Sequence, residues 1–316
     1  MALNLEEQQD LINATQIALK SKKHLYELGT EDFPLGSFFN RITAAKNQLE
    51  GGLGFVVLRN LPVEKFEDDG AKVMLWCHGK FFGFPEPQDK AGALIHTVTD
   101  TGAAIEKTDN IRGFQTSEEL QFHTDGGDVF ALMCLRAAKR GGLSKLVSSV
   151  AIFNAIKKIR PDLAEILQEP FYFDTRAQNV NESQYQKVPI FIKHDNLISA
   201  LYKRKYIETA QRFSDVPKLT DKQIDVLNLV DTLCNNKEFC FDMQLRAGDL
   251  EIANNATTFH SRENYEDHPE LEKRRCMLRL WLSLFNGRAL PDAYEATREW
   301  GPTFLRRKEK QHYFYS

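Results

Sequence analysis

Apolar positions along this 316-residue chain change their spacing several times, and each change marks an element. Residues 5–28 carry apolar side chains at helical intervals (Leu11, Ile12, Ile17, Ala18, Leu25), with no glycine before Gly29, which predicts a helix. A second helix is expected over 35–49, broken by Gly51 and Gly52. The β-branched and aromatic run at 54–62 predicts a strand. Residues 71–82 read as a helix closed by Gly83-Phe84-Pro85-Glu86-Pro87, and 93–98 as a strand followed by a polar loop to about residue 115. Strands are expected at 129–136 and 144–150, with Gly141-Gly142 in the turn between them. A helix over 150–167 is interrupted near Pro161. Short strands at 171–173 and 188–192 lead to a Tyr/Lys/Arg-rich segment, 201–212. Thr220, with Gln223 three residues on, forms a capping box for an amphipathic helix over 220–235. The last third is β-rich, with strands at 239–245, 250–253 and 274–285, ahead of a basic and aromatic tail from Trp300.

Composition narrows the class. An apolar fraction of 42% with 22 Phe supports a sizeable core. No stretch rich in Pro, Gly or Ser divides the chain, so a single domain over 1–316 with a helical part at 1–50 is expected. The net charge of -3 gives no basic footprint for nucleic acid, and the longest apolar runs fall short of a membrane span. The acidic start has no apolar signal core. Five widely spaced cysteines without a C-x-x-C motif read as reduced thiols, which points to a cytoplasmic protein. Self-association into a homo-oligomer is left open.

Candidate chemistry begins at Leu120-Gln121-Phe122-His123-Thr124-Asp125-Gly126-Gly127. A histidine and a carboxylate two residues apart at a strand end can face one ion. Alone the pair is weak, because with Asp at about 6% of residues, eight histidines produce His-x-Asp by chance about half the time. The strand Arg275-Cys276-Met277-Leu278-Arg279-Leu280-Trp281-Leu282 adds weight. Cys276, Leu278, Leu280 and Leu282 share one face; Arg275, Met277, Arg279 and Trp281 share the other. Met and Trp beside the arginines imply that this second face is covered too. A covered guanidinium needs an anion, and its planar fork suits a carboxylate. Together with His260, the set His123, Asp125 and His260 has the composition of the two-histidine, one-carboxylate face that binds Fe(II) with positions left open. A metal-dependent hydrolase or lyase on a cupin-like barrel, and a non-catalytic small-molecule-binding barrel, are the alternatives.

His123-Thr124-Asp125, Gly141-Gly142-Leu143-Ser144, Gly248-Asp249-Leu250-Glu251-Ile252-Ala253-Asn254-Asn255, His260-Ser261-Arg262 and Arg275 to Arg279 stand in an order that resembles the TauD/TfdA-like (clavaminate synthase-like) Fe(II)/2-oxoglutarate-dependent dioxygenases. The resemblance runs from about residue 54 to 284. It implies an α+β, mainly β fold: a double-stranded β-helix (jelly-roll, cupin-like) barrel with flanking helices. It implies Fe(II) held by His123, Asp125 and His260, with 2-oxoglutarate as co-substrate bound by Arg275 and Ser144, and O2 as oxidant. Arg279 matches a position that contacts an anionic group of the primary substrate in some members. The reaction implied is hydroxylation of an unactivated C–H bond in a small polar, amino-acid-like molecule, coupled to decarboxylation of 2-oxoglutarate to succinate and CO2. Asp125 occupies the place that family halogenases give to a small residue, so halogenation is not expected. One departure is the interval from His260 to Arg275, 275 - 260 = 15 residues, longer than in taurine-type members. It makes His268 a rival distal ligand, but His268 precedes Pro269 in a charged run, and His260 is preferred.

The other polar residues have plainer readings. His78 near a helix end, and His24, His194 and His312, read as structural or surface groups, and His96 as a core histidine. The segment Tyr202-Lys203-Arg204-Lys205-Tyr206 with Arg212 reads by default as a solvated helix face. Arg112 and Gln115, just before the metal strand, are candidates for substrate contact.

Overall fold

The computed structural model describes residues 1–89, 91–101, 116–176 and 183–314. Among the described residues, two antiparallel sheets face each other across an apolar interior. The larger has six strands: β1 (Phe55–Leu58), β2 (Gly83–Glu86), β3 (Ile95–Val98), β5 (Val129–Arg136), β8 (Leu250–Asn254) and β10 (Cys276–Leu284), in the order β1-β8-β5-β10-β2 with β3 also on β10. The smaller has β4 (Leu120–His123), β6 (Ser144–Ser148), β7 (Cys240–Met243) and β9 (Thr258–Arg262), in the order β7-β6-β9-β4. From β3 to β6, and again from β7 to β10, successive strands alternate between the two sheets, which is the double-stranded β-helix arrangement.

The alternation read in β10 sets the layers. Cys276, Leu278, Leu280, Leu282 and Leu284 pack into the core under the N-terminal helices; Met277 and Trp281 face the interior between the sheets with Val98, Phe130, Leu146 and Met243. Both faces are therefore covered, and each fully buried leucine stabilises by about 1.5–3 kcal/mol. Helices α1 (Leu5–Lys20), α2 (Phe39–Gly51) and α3 (Asp68–Phe82) supply the outer layer, with Leu11, Ala14, Ile42 and Leu75 all buried in that core. Asn4 caps α1, accepting the Glu7 amide at 2.9 Å while Glu7 returns a bond to the Asn4 amide.

The outer face of the smaller sheet, Phe122, Val147 and Phe259, is covered by an insertion built from α4 (Ser149–Ile159), α5 (Pro161–Ile166), α6 (Arg204–Ala210) and α7 (Asp221–Cys234). The expected break falls at Arg160, with Pro161 opening α5, where its missing amide costs nothing. The Thr220–Gln223 capping box opens α7.

One expectation changes. The Gly83–Glu86 segment is an edge strand rather than a closing turn, with Pro85 opposite Leu282. Proline removes one ladder donor and is tolerated at an edge. In the basic and aromatic tail, Trp300 is fully buried, stacks on Tyr294 and leads into α8 (Gly301–Phe314).

Candidate active site

Antiparallel pairing of β4 with β9 makes His123 and His260 direct Cα partners, with imidazole centroids 4.2 Å apart. Beyond His123 the chain leaves the strand. The Thr124 amide donates to the Tyr202 carbonyl at 2.9 Å, and the next residue, Asp125, turns back towards the histidines. This turn needs Gly127, which has φ +74 and whose Cβ would stand 2.9 Å from the Leu282 carbonyl oxygen. Asn255 fastens the turn: its Oδ1 accepts the Asp125 amide, and its Nδ2 donates to the carbonyls of Gly126 and Gly127, each at 3.1 Å.

The result is a compact three-residue face. Asp125 directs Oδ1 at His123 Nε2 (3.9 Å) and Oδ2 at His260 Nε2 (3.7 Å), and one ligand atom from each of the three lies within 4.8 Å of the others. His123 Nδ1 lies 2.8 Å from the Gln121 carbonyl, so this nitrogen carries the proton and Nε2 keeps its lone pair towards Asp125. Burial lowers the pKa of both imidazoles, and His123 further opposes a charge on His260. Burial of Asp125 favours its neutral acid, but Arg279 first, then His260 and His123, outweigh this and hold it well below the usual carboxylate range. Two neutral imidazoles and an ionised carboxylate are the donor set of a divalent first-row metal, so the residues fit Fe(II).

Asp125 is held from the large sheet. Arg279 Nη1 and Trp281 Nε1 both donate to Oδ2, at 3.1 and 3.0 Å. Arg279 Nε donates to Gln88 Oε1 at 2.7 Å, and its guanidinium lies over the Trp281 ring. The arginine expected at the substrate is thus also the counter-charge of the candidate metal carboxylate. Its strand neighbour His96 is not a plain core residue: its Nε2 lies 2.8 Å from Asp89 Oδ2.

The triad opens on a cavity with about 510 Å3 of atom-free space, its open mouth included. Arg275, Ser144, Arg279, Arg262 and Glu251 line the same cavity. Arg275 is 3% exposed, its guanidinium lies over the Tyr265 ring, and its Nη1 is buried without a hydrogen-bond partner among the described residues. Such a cation calls for an anion, and 2-oxoglutarate offers a carboxylate at the end of a chain short enough for the cavity. Ser144 Oγ donates to Glu251 Oε2 at 2.8 Å. The rival His268 is half-buried on the segment before Arg275 and does not line the cavity; Arg112 and Gln115 lie outside the described residues.

Several site residues were not singled out from the sequence. Glu251 and Asn255 stand in the quoted Gly248–Asn255 motif, but every residue of β8 is buried, so no alternation separates a site residue from a core one. The 201–212 segment is also different from expectation. Tyr202 is fully buried and donates to Asp231, and Lys203 pairs with buried Glu299 at 2.7 Å. Lys203 also bridges to His123 through the backbone. The run reads as a solvated face because its acidic partners, Asp231 and Glu299, are distant in sequence.

The fold and this face define an iron oxygenase of the double-stranded β-helix class. The family model described as "Taurine catabolism dioxygenase TauD, TfdA family" matches residues 19–281, and the chain belongs to that family: it is an Fe(II)- and 2-oxoglutarate-dependent dioxygenase. FR-33289 synthase of Streptomyces rubellomurinus is 28% identical over 283 residues, covering 88% of this chain and 82% of that protein. Asparagine oxygenase, solved with Fe(II), (2S,3S)-3-hydroxyasparagine and succinate, superposes with a TM-score of 0.69 at 17% identity, over 90% of this chain and 93% of the other. The non-heme iron oxygenase OrfP with Fe and alpha-ketoglutaric acid superposes with a TM-score of 0.67 at 12% identity, over 89% and 93%. Family membership sets aside the hydrolase and the non-catalytic barrel.

Proposed function

We propose that His123, Asp125 and His260 hold the iron, that Arg275 and Ser144 receive the distal carboxylate of 2-oxoglutarate, and that the enzyme hydroxylates an unactivated C–H bond of an amino acid or a close derivative. The observation that carries this reading is the placement on one cavity of the three-residue face and of an Arg275 Nη1 that has no partner among the described residues. The iron, when bound, couples O2 reduction to oxidation of 2-oxoglutarate and substrate. The protein's part is orientation. The Gln121 carbonyl fixes the His123 tautomer, and Arg279 and Trp281 keep Asp125 ionised and aimed.

Arg279 lines the cavity while holding Asp125, which suits it to an anionic group of the substrate as well. The structural likeness to asparagine oxygenase supports an amino-acid substrate. Core packing of the N-terminal helices on the large sheet supports one domain over 1–316. Five free thiols suit the cytoplasm, and no helix among the described residues is long and apolar enough to cross a membrane.

The test is succinate formation from 2-oxoglutarate under O2 with added Fe(II) and a panel of free amino acids. Wild type forms succinate, an amino acid raises the rate, and Arg275→Ala raises the apparent KM for 2-oxoglutarate by at least about tenfold, in line with the loss of a charge-assisted pair. An unchanged KM would remove Arg275 from the assignment. No stimulation by any amino acid would remove the substrate class.

A further inference from the structure

Glu251 is a carboxyl group where a carboxylate is meant to bind. It sits in β8 opposite Val57 of β1 and Leu132 of β5, both apolar, and is completely buried. Its side chain lines the cavity with Arg275 and Arg262, and the metal face and Arg279 line the same space. Its Oε2 accepts the Ser144 hydroxyl, and its Oε1 has no partner among the described residues. While Glu251 is an anion, the one hydrogen Ser144 can donate is already used, and a negative charge shares the pocket of Arg275. The co-substrate would bring a second one.

Resting on the reading of Arg275 and Ser144 as the co-substrate site, we propose that Glu251 is a positioning residue that links 2-oxoglutarate binding to a proton. Neutral Glu251 donates its hydrogen to Ser144 Oγ, and the Ser144 hydroxyl turns its own hydrogen to the distal carboxylate of 2-oxoglutarate. Anionic Glu251 takes that hydrogen back and repels the incoming carboxylate. Binding to the anionic form therefore takes up one proton from solvent, and no covalent bond to carbon changes. Geometry supports the exchange, because a hydroxyl both donates and accepts and Ser144 stands at hydrogen-bond distance from the carboxyl. Burial raises the Glu251 pKa to about 7 against the lowering effects of Ser144 and Arg275, so both forms are populated near neutral pH.

The experiment is calorimetric titration of the Fe(II)-loaded protein with 2-oxoglutarate under anaerobic conditions, between pH 6 and 8.5, in buffers of different ionisation enthalpy. Wild type at high pH takes up close to one proton per co-substrate, and its affinity falls about tenfold per pH unit once Glu251 is ionised. Glu251→Gln, whose amide donates to Ser144 Oγ at every pH, shows no uptake and a flat affinity near the low-pH wild-type value. Wild-type binding without proton uptake overturns the inference while leaving the co-substrate site in place, and so does uptake retained in Glu251→Gln. Absence of binding at every pH overturns both readings. The wild-type measurement decides by itself if the variant does not fold.

Discussion

His260 faces His123 across the β9–β4 pairing as its direct Cα partner, so two of the three candidate iron ligands are set by one strand register. A slip of either strand by one residue would put the two side chains on opposite faces of the sheet. His260→Ala is expected to lower Fe(II) affinity by more than about 100-fold and abolish succinate formation, a larger loss than removal of a supporting hydrogen bond. His268→Ala, on a charged segment that does not line the cavity, leaves both unchanged. Iron content after reconstitution and a succinate assay separate the two; iron lost only from the His268 variant would reverse the assignment.

Trp281 reaches Asp125 from the other sheet through a single indole N–H at 3.0 Å. Trp281→Phe keeps most of the ring and removes that donor. The expected cost is about 10- to 100-fold in metal affinity, with little change in thermal stability. A metal titration followed by a melting curve checks both parts, and a variant that binds metal as wild type does would show that Arg279 alone suffices.

Gly127 makes the turn that brings Asp125 back to the histidines. A side chain there meets a left-handed φ of +74 and a carbonyl oxygen 2.9 Å from its Cβ. Gly127→Ala should destabilise by about 1–3 kcal/mol, read as a melting point several degrees lower. Metal affinity should fall with it, because Asp125 moves with the turn. A melting point equal to wild type would mean that the turn relaxes without strain.

Glu251 should also make stability depend on pH. Its folded pKa is raised by burial to about 7 from the usual 4.5. The native state therefore binds the extra proton more tightly. The stability this confers is fully present below about pH 4.5 and lost as pH rises through about 7. Against Glu251→Gln, metal-free wild type should lose on the order of 3 kcal/mol between pH 5 and 8. Denaturant melts at the two pH values measure the difference, and parallel pH profiles would refute it.

Much of this site was legible in the chain because its signals are local. Period-2 alternation in β10 placed Arg275 and Arg279 on a covered face, and Met277 and Trp281 beside them explained why it is covered. The His123-Thr124-Asp125 pair and its glycines lie within five residues. Glu251, Asn255, Lys203 and Glu299 gave no such signal. Each acts on a partner from 96 to 130 positions away, as in Ser144–Glu251, Asp125–Asn255 and Lys203–Glu299. No periodicity within one element encodes those distances.

By itself the sequence determined the two faces of the strand from Arg275 to Leu282, the chemical types gathered for metal and anion, and the glycine turns near them. Those follow from side-chain alternation and backbone allowance, which are properties of neighbours. The tertiary structure set His260, already preferred to His268 in the sequence, directly across from His123. It also decided that Arg279 serves Asp125, and that a buried acid shares the pocket of Arg275. Strand register and the facing of two sheets set which distant side chains share one desolvated space. Within it, burial turns an ordinary glutamate into a group that titrates near neutrality.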